Sequence, residues 1–270
     1  MALGLIDGSG SEDYFMPGAD PAEGFAVTNL QLYAPGAPSG DATPTMNGFV
    51  TDFSTTLAWE ERAGTWNIVA GTAASDIMGI FTPTALPVLS GLAKGYAVSD
   101  RWFSSVPTET MPNRAFASVA TSQGHMDDTT KSFTAPSIFG LLDQHGVSWS
   151  IFGHDAEPLT RLTFSDTTDA AESHFGRFAD FTTAAAAGNL AAFSFLEPSW
   201  SATDNSQHPN YDVAKGEQLI YDVYEALRSS PAWQTTLLVI TYDEHGGCYD
   251  HVAPPSGAAA PDSAVGEFGL

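Results

Sequence analysis

The sequence predicts an α/β fold built on a largely parallel sheet. Short apolar segments of strand length alternate along the chain with amphipathic segments of helical length, a pattern typical of βαβ units. The chain has 270 residues, of which 43% are hydrophobic, so it is long enough to form a substantial core. Neither an internal repeat nor a long linker divides it. We therefore interpret residues 1–270 as a single domain.

Helices are predicted where apolar residues recur every three or four positions. Residues 1–48 are rich in glycine, proline, alanine and aspartate and lack such periodicity, so this region is expected to be mostly irregular. Regular structure is expected from Gly48 onward. Ser137 is a candidate N-cap and Gly146 a candidate helix stop. The predicted helices are 85–95, 137–146, 178–190 and 216–233.

Strands are predicted in the short apolar runs between these helices. They cover residues 96–103, 147–152, 191–196 and 237–242. The continuous apolar run over 237–242 predicts a strand that is buried on both faces. Ligands of parallel α/β sheets bind beyond the carboxyl ends of the strands. The residues that follow each strand are therefore the candidates for function.

The charge balance excludes several classes of partner. The chain has 32 acidic and 9 basic residues, a net charge of −23. It lacks the basic surface that nucleic-acid binding requires, and adsorption to anionic membranes is disfavoured. No apolar run is long enough to span a bilayer. Cys248 is the single cysteine, and residues 1–10 lack the basic start of a signal peptide, so the sequence leaves the compartment undetermined.

The strand predicted at 237–242 leads directly into a cluster of ionisable side chains. Asp243, Glu244 and His245 follow it, and then two glycines that permit a sharp turn. Carboxylates favour hard cations, whereas imidazole suits zinc or iron, so this pattern indicates a metal site. Asp250 and His251 extend the cluster. The alternative is an acidic strand-to-loop turn, in which aspartate and glycine are common.

Two other predicted strands lead into polar loops. After 96–103, a hydroxyl in the Ser104–Arg114 stretch could act as a nucleophile, although a Thr-rich loop is also typical of a simple turn. Arg114 could pair with a phosphate or with a carboxylate of the late cluster. After 191–196, His208 could contact a leaving group or phosphate, or could cap the following helix.

Three of these stretches resemble the signatures of the phosphoesterase family. They are DRWFSSVPTETMPNR (100–114), DNSQHPNYDVAKGEQLI (204–220) and TYDEHGGCYDHVAPP (241–255). This family belongs to the alkaline-phosphatase-like superfamily and includes phosphocholine-preferring phospholipases C and an acid phosphatase. The resemblance covers nearly the whole chain in order. It implies an alkaline-phosphatase-like α/β fold, with a largely parallel sheet flanked by helices.

The resemblance also implies roles for individual residues. Thr110 matches the family's nucleophile, which also contacts the metal, and Thr108 competes with it because the inserted Glu109 loosens the alignment. Asp243 and Glu244 match metal ligands. His208 matches the histidine that faces the phosphate or the leaving group. The remaining matches are substrate-binding positions: Asn113, Arg114 and His251.

The activity that the resemblance implies is hydrolysis of phosphate esters with a divalent metal ion, either zinc, calcium or another. Phospholipase C-type cleavage of a phospholipid diester through a threonine is the first expectation. A monoesterase of the acid phosphatase type is the alternative. Relatives are often secreted or periplasmic.

The sequence also departs from the family pattern. Members open with a strand that ends in Glu-Asn-Arg-Ser-Phe-Asp, whose Glu and Asn complete the metal site. This chain begins just past that motif and stops before a later strand, so a partial domain that lacks its first strand is expected. Such a chain could be catalytically silent. The first acidic residues that could replace the missing ligands are Asp7, Glu12, Asp13 and Glu23, the last standing where relatives often have histidine.

Overall fold

A computed structural model describes residues 4–6, 19–35, 42–64, 68–154, 157–200 and 205–266. Its strands are β1 (Gly4–Ile6), β2 (Gly79–Phe81), β3 (Trp149–Gly153), β4 (Phe175–Arg177) and β5 (Phe193–Glu197). Its α-helices are α1 (Phe25–Tyr33), α2 (Phe49–Ala63), α3 (Pro87–Gly95), α4 (Thr110–Val119), α5 (Ile138–Gln144), α6 (Leu159–Thr163), α7 (Ser165–Thr168), α8 (Phe178–Ala187) and α9 (Val213–Arg228). Among these residues, no helix has both the length and the apolar composition that a membrane span requires.

The larger sheet is parallel and has β3 at its centre. β4 pairs with one edge of β3 and β5 with the other, in the order β4-β3-β5. Trp149 and Ile151 point from β3 into a core that also contains Phe133, Phe139 and Phe164. Helices connect and flank the strands, which confirms the predicted α/β class with a parallel sheet.

A second packing unit consists of α1, α2 and the 3-10 turn Ala74–Met78, which leads into the pair β1-β2, also parallel. Phe49, Phe53 and Leu57 lie on one face of α2 and are buried together with Ile77 and Met78. This spacing of three to four residues is the apolar face of an amphipathic helix. α1 lies at residues 25–33, where the sequence predicts mostly irregular chain.

Gly48 allows α1 and α2 to meet at close range. A Cβ at this position would lie 1.9 Å from the carbonyl oxygen of Leu30 and 2.8 Å from Cα of Gln31. The Gly48 backbone N–H donates to the Gln31 carbonyl at 2.9 Å. The absence of a side chain therefore sets the distance between the start of α2 and the end of α1.

The predicted helices agree with the structure to within a few residues. α3, α5, α8 and α9 correspond to the predictions at 85–95, 137–146, 178–190 and 216–233. Ser137 caps α5 by accepting a hydrogen bond from the backbone N–H of Gly140, as predicted. β3 and β5 correspond to the strands predicted at 147–152 and 191–196.

Two predicted strands are wrong. Residues 96–103 and 237–242 pair with no strand among the residues that the structure describes. The side chains of Leu237 and Val239 are 85% and 69% exposed, whereas Leu238, on the opposite side, packs against the core between α8 and α9. Apolar composition favours a strand, but a strand also needs a neighbour for its backbone groups. Burial on both faces is therefore not observed.

Candidate active site

Three ligand-type side chains from two distant segments meet next to α1. Asp20 and Glu23 precede α1, and His208 lies in the loop that precedes α9. One donor atom from each lies within 4.8 Å of the other two. His208 Nδ1 is 3.7 Å from Asp20 Oδ1 and 3.1 Å from Asn210 Oδ1. This group is a candidate site for a metal ion.

The space around this group is strongly acidic. Burial raises the pKa of Glu23 to about 9, and Glu244, Asp20, Glu109 and Asp128 add to the rise through their negative charges. We call these five residues the acidic cluster. Burial likewise raises the pKa values of Asp20, Glu109 and Asp128. The oxygens Asp20 Oδ1 and Glu23 Oε2 are buried and accept no hydrogen bond, so the cluster is short of positive charge and of donors.

The same negative charges also affect the pKa of the Cys248 thiol. Its pKa is raised to about 12, first by burial and then by Glu244, Glu23 and Asp20. The thiol is therefore neutral at physiological pH and is a poor nucleophile in this setting.

Two glycines allow the chain after Asp243 and Glu244 to pack against the segments that carry Glu23 and His208. Gly246 and Gly247 have φ angles of 60° and 66°, which favour glycine. A Cβ on Gly246 would lie 2.6 Å from Pro209 Cγ, and one on Gly247 would lie 2.7 Å from the carbonyl oxygen of Ala22. The loop after Glu244 thus packs directly on the segments that carry His208 and Glu23.

The two candidate nucleophiles differ in their surroundings. Thr108 is fully buried, and its hydroxyl donates to the carbonyl oxygen of Met126 at 2.6 Å. Thr110 is half-buried and is the first residue of α4. Thr108 thus has a fixed internal partner, whereas Thr110 stands at the start of the helix, beside the acidic cluster.

Acidic side chains hold that first turn of α4. The backbone N–H of Met111 donates to Asp128 Oδ1 at 2.7 Å, and the backbone N–H of Asp128 donates to Glu109 Oε2 at 2.8 Å. Carboxylates are favourable at a helix N-terminus, where backbone N–H groups lack partners. Glu109 and Asp128 therefore connect α4 to the acidic cluster.

Arg114 connects α4 to the carboxyl end of the sheet. Its guanidinium pairs with Glu197, the last residue of β5, and its Nε donates to Asp243 Oδ2 at 2.8 Å. Arg114 lies one turn after Thr110 on the same helix face. The ion pairs therefore bring the start of α4, the end of β5 and Asp243 together. In this structure Arg114 has a carboxylate partner from the late motif, and its contact with a substrate stays a prediction.

Asn113 and His251 differ in exposure: the first is buried and the second is at the surface. The side chain of Asn113 is buried, and its amide bonds to the backbone of Val106, Thr108 and Glu109, so it holds the loop before α4. The side chain of His251 is 74% exposed, and its Nδ1 lies 3.5 Å from Asp250 Oδ1. Their predicted substrate contacts stay predictions.

Comparison with known proteins identifies the family. A model of the phosphoesterase family matches residues 42–268. The chain belongs to the phosphoesterase family. The resemblance found in the sequence motifs is thereby confirmed. Thr110, His208, Asp243 and Glu244 all lie inside the matched range, whereas Asp20 and Glu23 precede it.

Its relatives in this family include plant and bacterial proteins. The chain is 35% identical over 269 residues to non-specific phospholipase C1 of Arabidopsis thaliana, covering 95% of this chain and 47% of the relative. It is 39% identical over 202 residues to non-specific phospholipase C4 of the same plant, covering 71% and 37%. It is 28% identical over 220 residues to phospholipase C A of Mycobacterium tuberculosis, covering 71% and 41%. The chain thus spans about half the length, or less, of these curated relatives.

Several residues of the acidic cluster are not found by motif reasoning. Glu23 is predicted as a possible ligand, and Asp7, Glu12 and Asp13 lie outside the described residues. Asp20 and Asp128 carry no such prediction. The pair Asp20 and Glu23, three residues apart in a proline-containing segment, is the one local signal that could have indicated a site.

Proposed function

We propose that this phosphoesterase-family chain hydrolyses phosphate esters at the acidic cluster with the help of a divalent metal ion. The observation that carries the proposal is the convergence of Asp20, Glu23 and His208, with Glu244 close enough to raise the pKa of Glu23. Such a concentration of buried carboxylates is unfavourable unless a cation or protons compensate it. The names of the relatives supply the reaction class.

The residues present fit a metal ion. Asp20 and Glu23 each have a buried oxygen without a hydrogen-bond donor, and a cation would satisfy both. Carboxylate oxygens suit calcium, zinc or a similar divalent ion, and His208 lies beside them as a proton donor rather than as a ligand. Glu244 joins this donor set, and the family resemblance adds Asp243 and Thr110. When bound, the ion would lower the pKa of the attacking hydroxyl and balance negative charge on the phosphoryl oxygens.

Thr110 is the nucleophile in this proposal. Its hydroxyl releases its proton to solvent, Oγ attacks phosphorus in line and forms a P–O bond, and the bond from phosphorus to the ester oxygen breaks. The products of this step are the alcohol and a phosphoester of Thr110, which still carries the headgroup when the substrate is a diester, and water then hydrolyses the bond between phosphorus and Thr110. The half-buried position of Thr110 supports this assignment over Thr108, whose hydroxyl is held inside the protein.

His208 serves the leaving group or the phosphoryl oxygens. It either donates a proton to the departing alkoxide or hydrogen-bonds the transferring phosphoryl group. Its side chain is partly exposed and lies beside Asp20, so it can reach a substrate that enters the acidic cluster.

Phospholipid diesters are the preferred substrate class. The support is that relatives from a plant and a bacterium carry the name phospholipase C. A monoesterase of the acid phosphatase type uses the same residues and is the second candidate. A catalytically silent chain is the third, and the acidic side chains contributed by Asp20 and Glu23 count against it.

The first prediction concerns the hydrolytic activity of the 270-residue chain. Hydrolysis of p-nitrophenyl phosphorylcholine is measured beside that of p-nitrophenyl phosphate after chelation and after return of Zn²⁺ or Ca²⁺. We expect activity to disappear with the chelator and to return with an ion, with the diester preferred. Thr110→Ala should lower kcat by at least about 1,000-fold, because a nucleophile has no substitute.

Thr183→Ala is the matched control, because Thr183 is an exposed threonine of α8 whose hydroxyl bonds to the Ala179 carbonyl. It should retain the activity of the unsubstituted chain. Full turnover in excess chelator would falsify the metal-assisted scheme, and full turnover by Thr110→Ala would move the nucleophile elsewhere.

A further inference from the structure

Gln31 is a buried amide whose orientation is fixed by its neighbours. It lies on α1 and is 1% exposed. Its Nε2 donates to the carbonyl oxygen of Ala22 at 2.7 Å and to Asp52 Oδ2 at 2.8 Å. A carbonyl oxygen can only accept, so the amide nitrogen has to face Ala22. Its oxygen, Oε1, therefore points the other way, toward His245.

His245 bridges Gln31 and the acidic cluster. Its Nε2 lies 2.9 Å from Gln31 Oε1, and its Nδ1 lies 3.3 Å from Glu244 Oε2. Because Gln31 presents an acceptor, Nε2 has to carry the hydrogen of this bond. The ring is thereby held with Nδ1 facing Glu244 Oε2, and a hydrogen shared between these two atoms makes the contact attractive, because two bare acceptors would repel each other. Both residues are largely buried, with 23% and 6% of their side chains exposed.

Glu244 needs such a support because its neighbours repel it. Asp20, Glu23, Glu109 and Asp128 all experience its negative charge. Repulsion between carboxylates favours a rotamer that turns Glu244 away from them. The hydrogen bond from the Gly246 backbone N–H to Glu244 Oε2 and the contact with His245 oppose this rotation.

We propose that Gln31 is a positioning residue that fixes the His245 imidazole and thereby holds the Glu244 carboxylate in the acidic cluster. The role of this chain of contacts in catalysis rests on the proposed function. Partners of metal ligands commonly act in this way, because they orient the ligand without touching the ion. Gln31 itself bonds to Ala22, Asp52 and His245 and acts on Glu244 only through His245.

The helix pair α1 and α2 makes this arrangement rigid. Asp52 lies in the first turn of α2, is 4% exposed and receives the Gln31 amide from across the Gly48 contact. Gly247 packs on Ala22, the second acceptor of the same amide. Gln31 is thus held from two sides before it meets His245.

The state of the His245 ring tests the proposal without any activity measurement. The full chain, with ¹⁵N-labelled histidine and a chelator present, gives a long-range ¹H–¹⁵N spectrum in which His245 is assigned by its loss in His245→Asn. We expect hydrogen on Nε2 in the unsubstituted chain. Gln31→Met keeps the length of the side chain but removes the acceptor, so this fixed state should be lost. The double variant Gln31→Glu, Asp52→Asn exchanges the amide and the carboxylate of this buried pair, so it keeps both their hydrogen bond and an acceptor oxygen for His245 and should preserve the state.

Binding of the metal alone tests the second half of the proposal. Zn²⁺ and Ca²⁺ are titrated calorimetrically into the same variants. Gln31→Met should weaken binding by about 10-fold to 100-fold, the usual effect of removing the partner of a metal ligand. Asn29→Ala is the matched control, because the Asn29 amide on the same helix bonds to the Phe25 carbonyl at 3.0 Å. It should change neither the spectrum nor the affinity.

A neutral His245 with its hydrogen on Nδ1 in the unsubstituted chain overturns the proposal, as does unchanged metal affinity in Gln31→Met. If Gln31→Met does not fold, the unsubstituted chain and the double variant Gln31→Glu, Asp52→Asn still decide the ring state. A chain that binds no ion and hydrolyses no ester, but whose His245 state follows Gln31, contradicts the proposed function alone.

Discussion

Glu23 is a residue whose ionisation is strongly affected by the fold. Burial and the surrounding carboxylates raise its pKa from 4.5 to about 9. The folded chain therefore retains a proton on Glu23 that the unfolded chain releases above pH 4.5. With no cation bound, the unfolded state gains stability from this ionisation as the pH rises. The free energy of unfolding should thus fall between about pH 4.5 and pH 9.

We expect Glu23→Gln to stabilise the chelated protein at pH 8, by on the order of 2–4 kcal/mol, because one pKa unit corresponds to about 1.4 kcal/mol. At pH 4 Glu23 is mostly protonated in both states, so the difference should nearly vanish. Urea unfolding at the two pH values measures it. Equal stabilisation at pH 4 and pH 8 would contradict the assignment. In the presence of saturating metal the sign should reverse, since the variant loses a ligand.

The sequence identifies only some of the residues in the candidate site, which comprises the acidic cluster and His208. Glu244 and His208 belong to motifs with several adjacent chemical groups, so they can be recognised from local sequence. Asp20 and Asp128 have ordinary loop neighbours, and their importance comes from packing between segments that are distant along the chain. Such packing depends on contacts like those of Gly246 and Gly247, which no local pattern reveals.

At the scale of elements, Glu217 of α9 caps the N-terminus of α3, which has no capping side chain of its own. The backbone N–H groups of Val88 and Leu89, in the first turn of α3, donate to the Glu217 carboxylate at 2.7 and 3.1 Å. Leu86, the residue at the N-cap of α3, provides no side-chain hydrogen bond. A carboxylate at a helix start also interacts favourably with the helix dipole.

Glu217→Ala should therefore lower the free energy of unfolding by about 1–3 kcal/mol, because it leaves partly buried backbone donors without their partner. Glu225→Ala, an exposed position on the same helix, should change it by less than about 0.5 kcal/mol. Thermal or urea unfolding provides the comparison. Equal effects of the two substitutions would show that the cap adds nothing.

The close contact of α1 with α2 at Gly48 leads to a second prediction at this scale. Gly48→Ala places a Cβ against the backbone of α1, so we expect a loss of about 2–4 kcal/mol of stability. Gly91→Ala, in α3, meets nothing within 4 Å and should stabilise the protein slightly, by about 0.5–1 kcal/mol. Denaturant unfolding of both variants tests the pair. A harmless Gly48→Ala would mean that α1 and α2 move apart easily.

The predictions of helices and strands differ in quality for a physical reason. The hydrogen bonds of a helix are local, so α3, α5, α8 and α9 follow from periodicity and from end signals such as Ser137. A strand depends on a partner elsewhere in the chain. The segments 96–103 and 237–242 have the composition of strands, but their side chains, including Trp102 and Leu237, are largely exposed.

For the whole molecule, the segment 237–242 is an exposed apolar surface on a highly charged protein. Leu237 and Val239 project from it, and its backbone pairs with no strand in the described part of the chain. Extended apolar segments of this kind favour association with other chains. The net charge of −23 opposes association through repulsion, which salt screens.

We therefore expect association that increases with protein and salt concentration, measured by sedimentation velocity. The double variant Leu237→Gln and Val239→Thr should reduce it. Leu162→Gln removes a single leucine that is 60% exposed on α6 and should have little effect. A chain that stays monomeric at high salt would contradict this prediction.

The sheet and the acidic cluster differ in how far apart along the chain their partners lie, and this difference bears on the order of folding. Ser148 and Ala192, next to the β3–β5 pairing, are 44 residues apart, whereas Arg114 and Asp243 are 129 apart and Gln31 and His245 are 214 apart. The entropy lost on closing a loop grows with its length. We therefore expect the sheet to form early and the acidic cluster late. Local openings should then expose the cluster to amide hydrogen exchange while β3 remains protected.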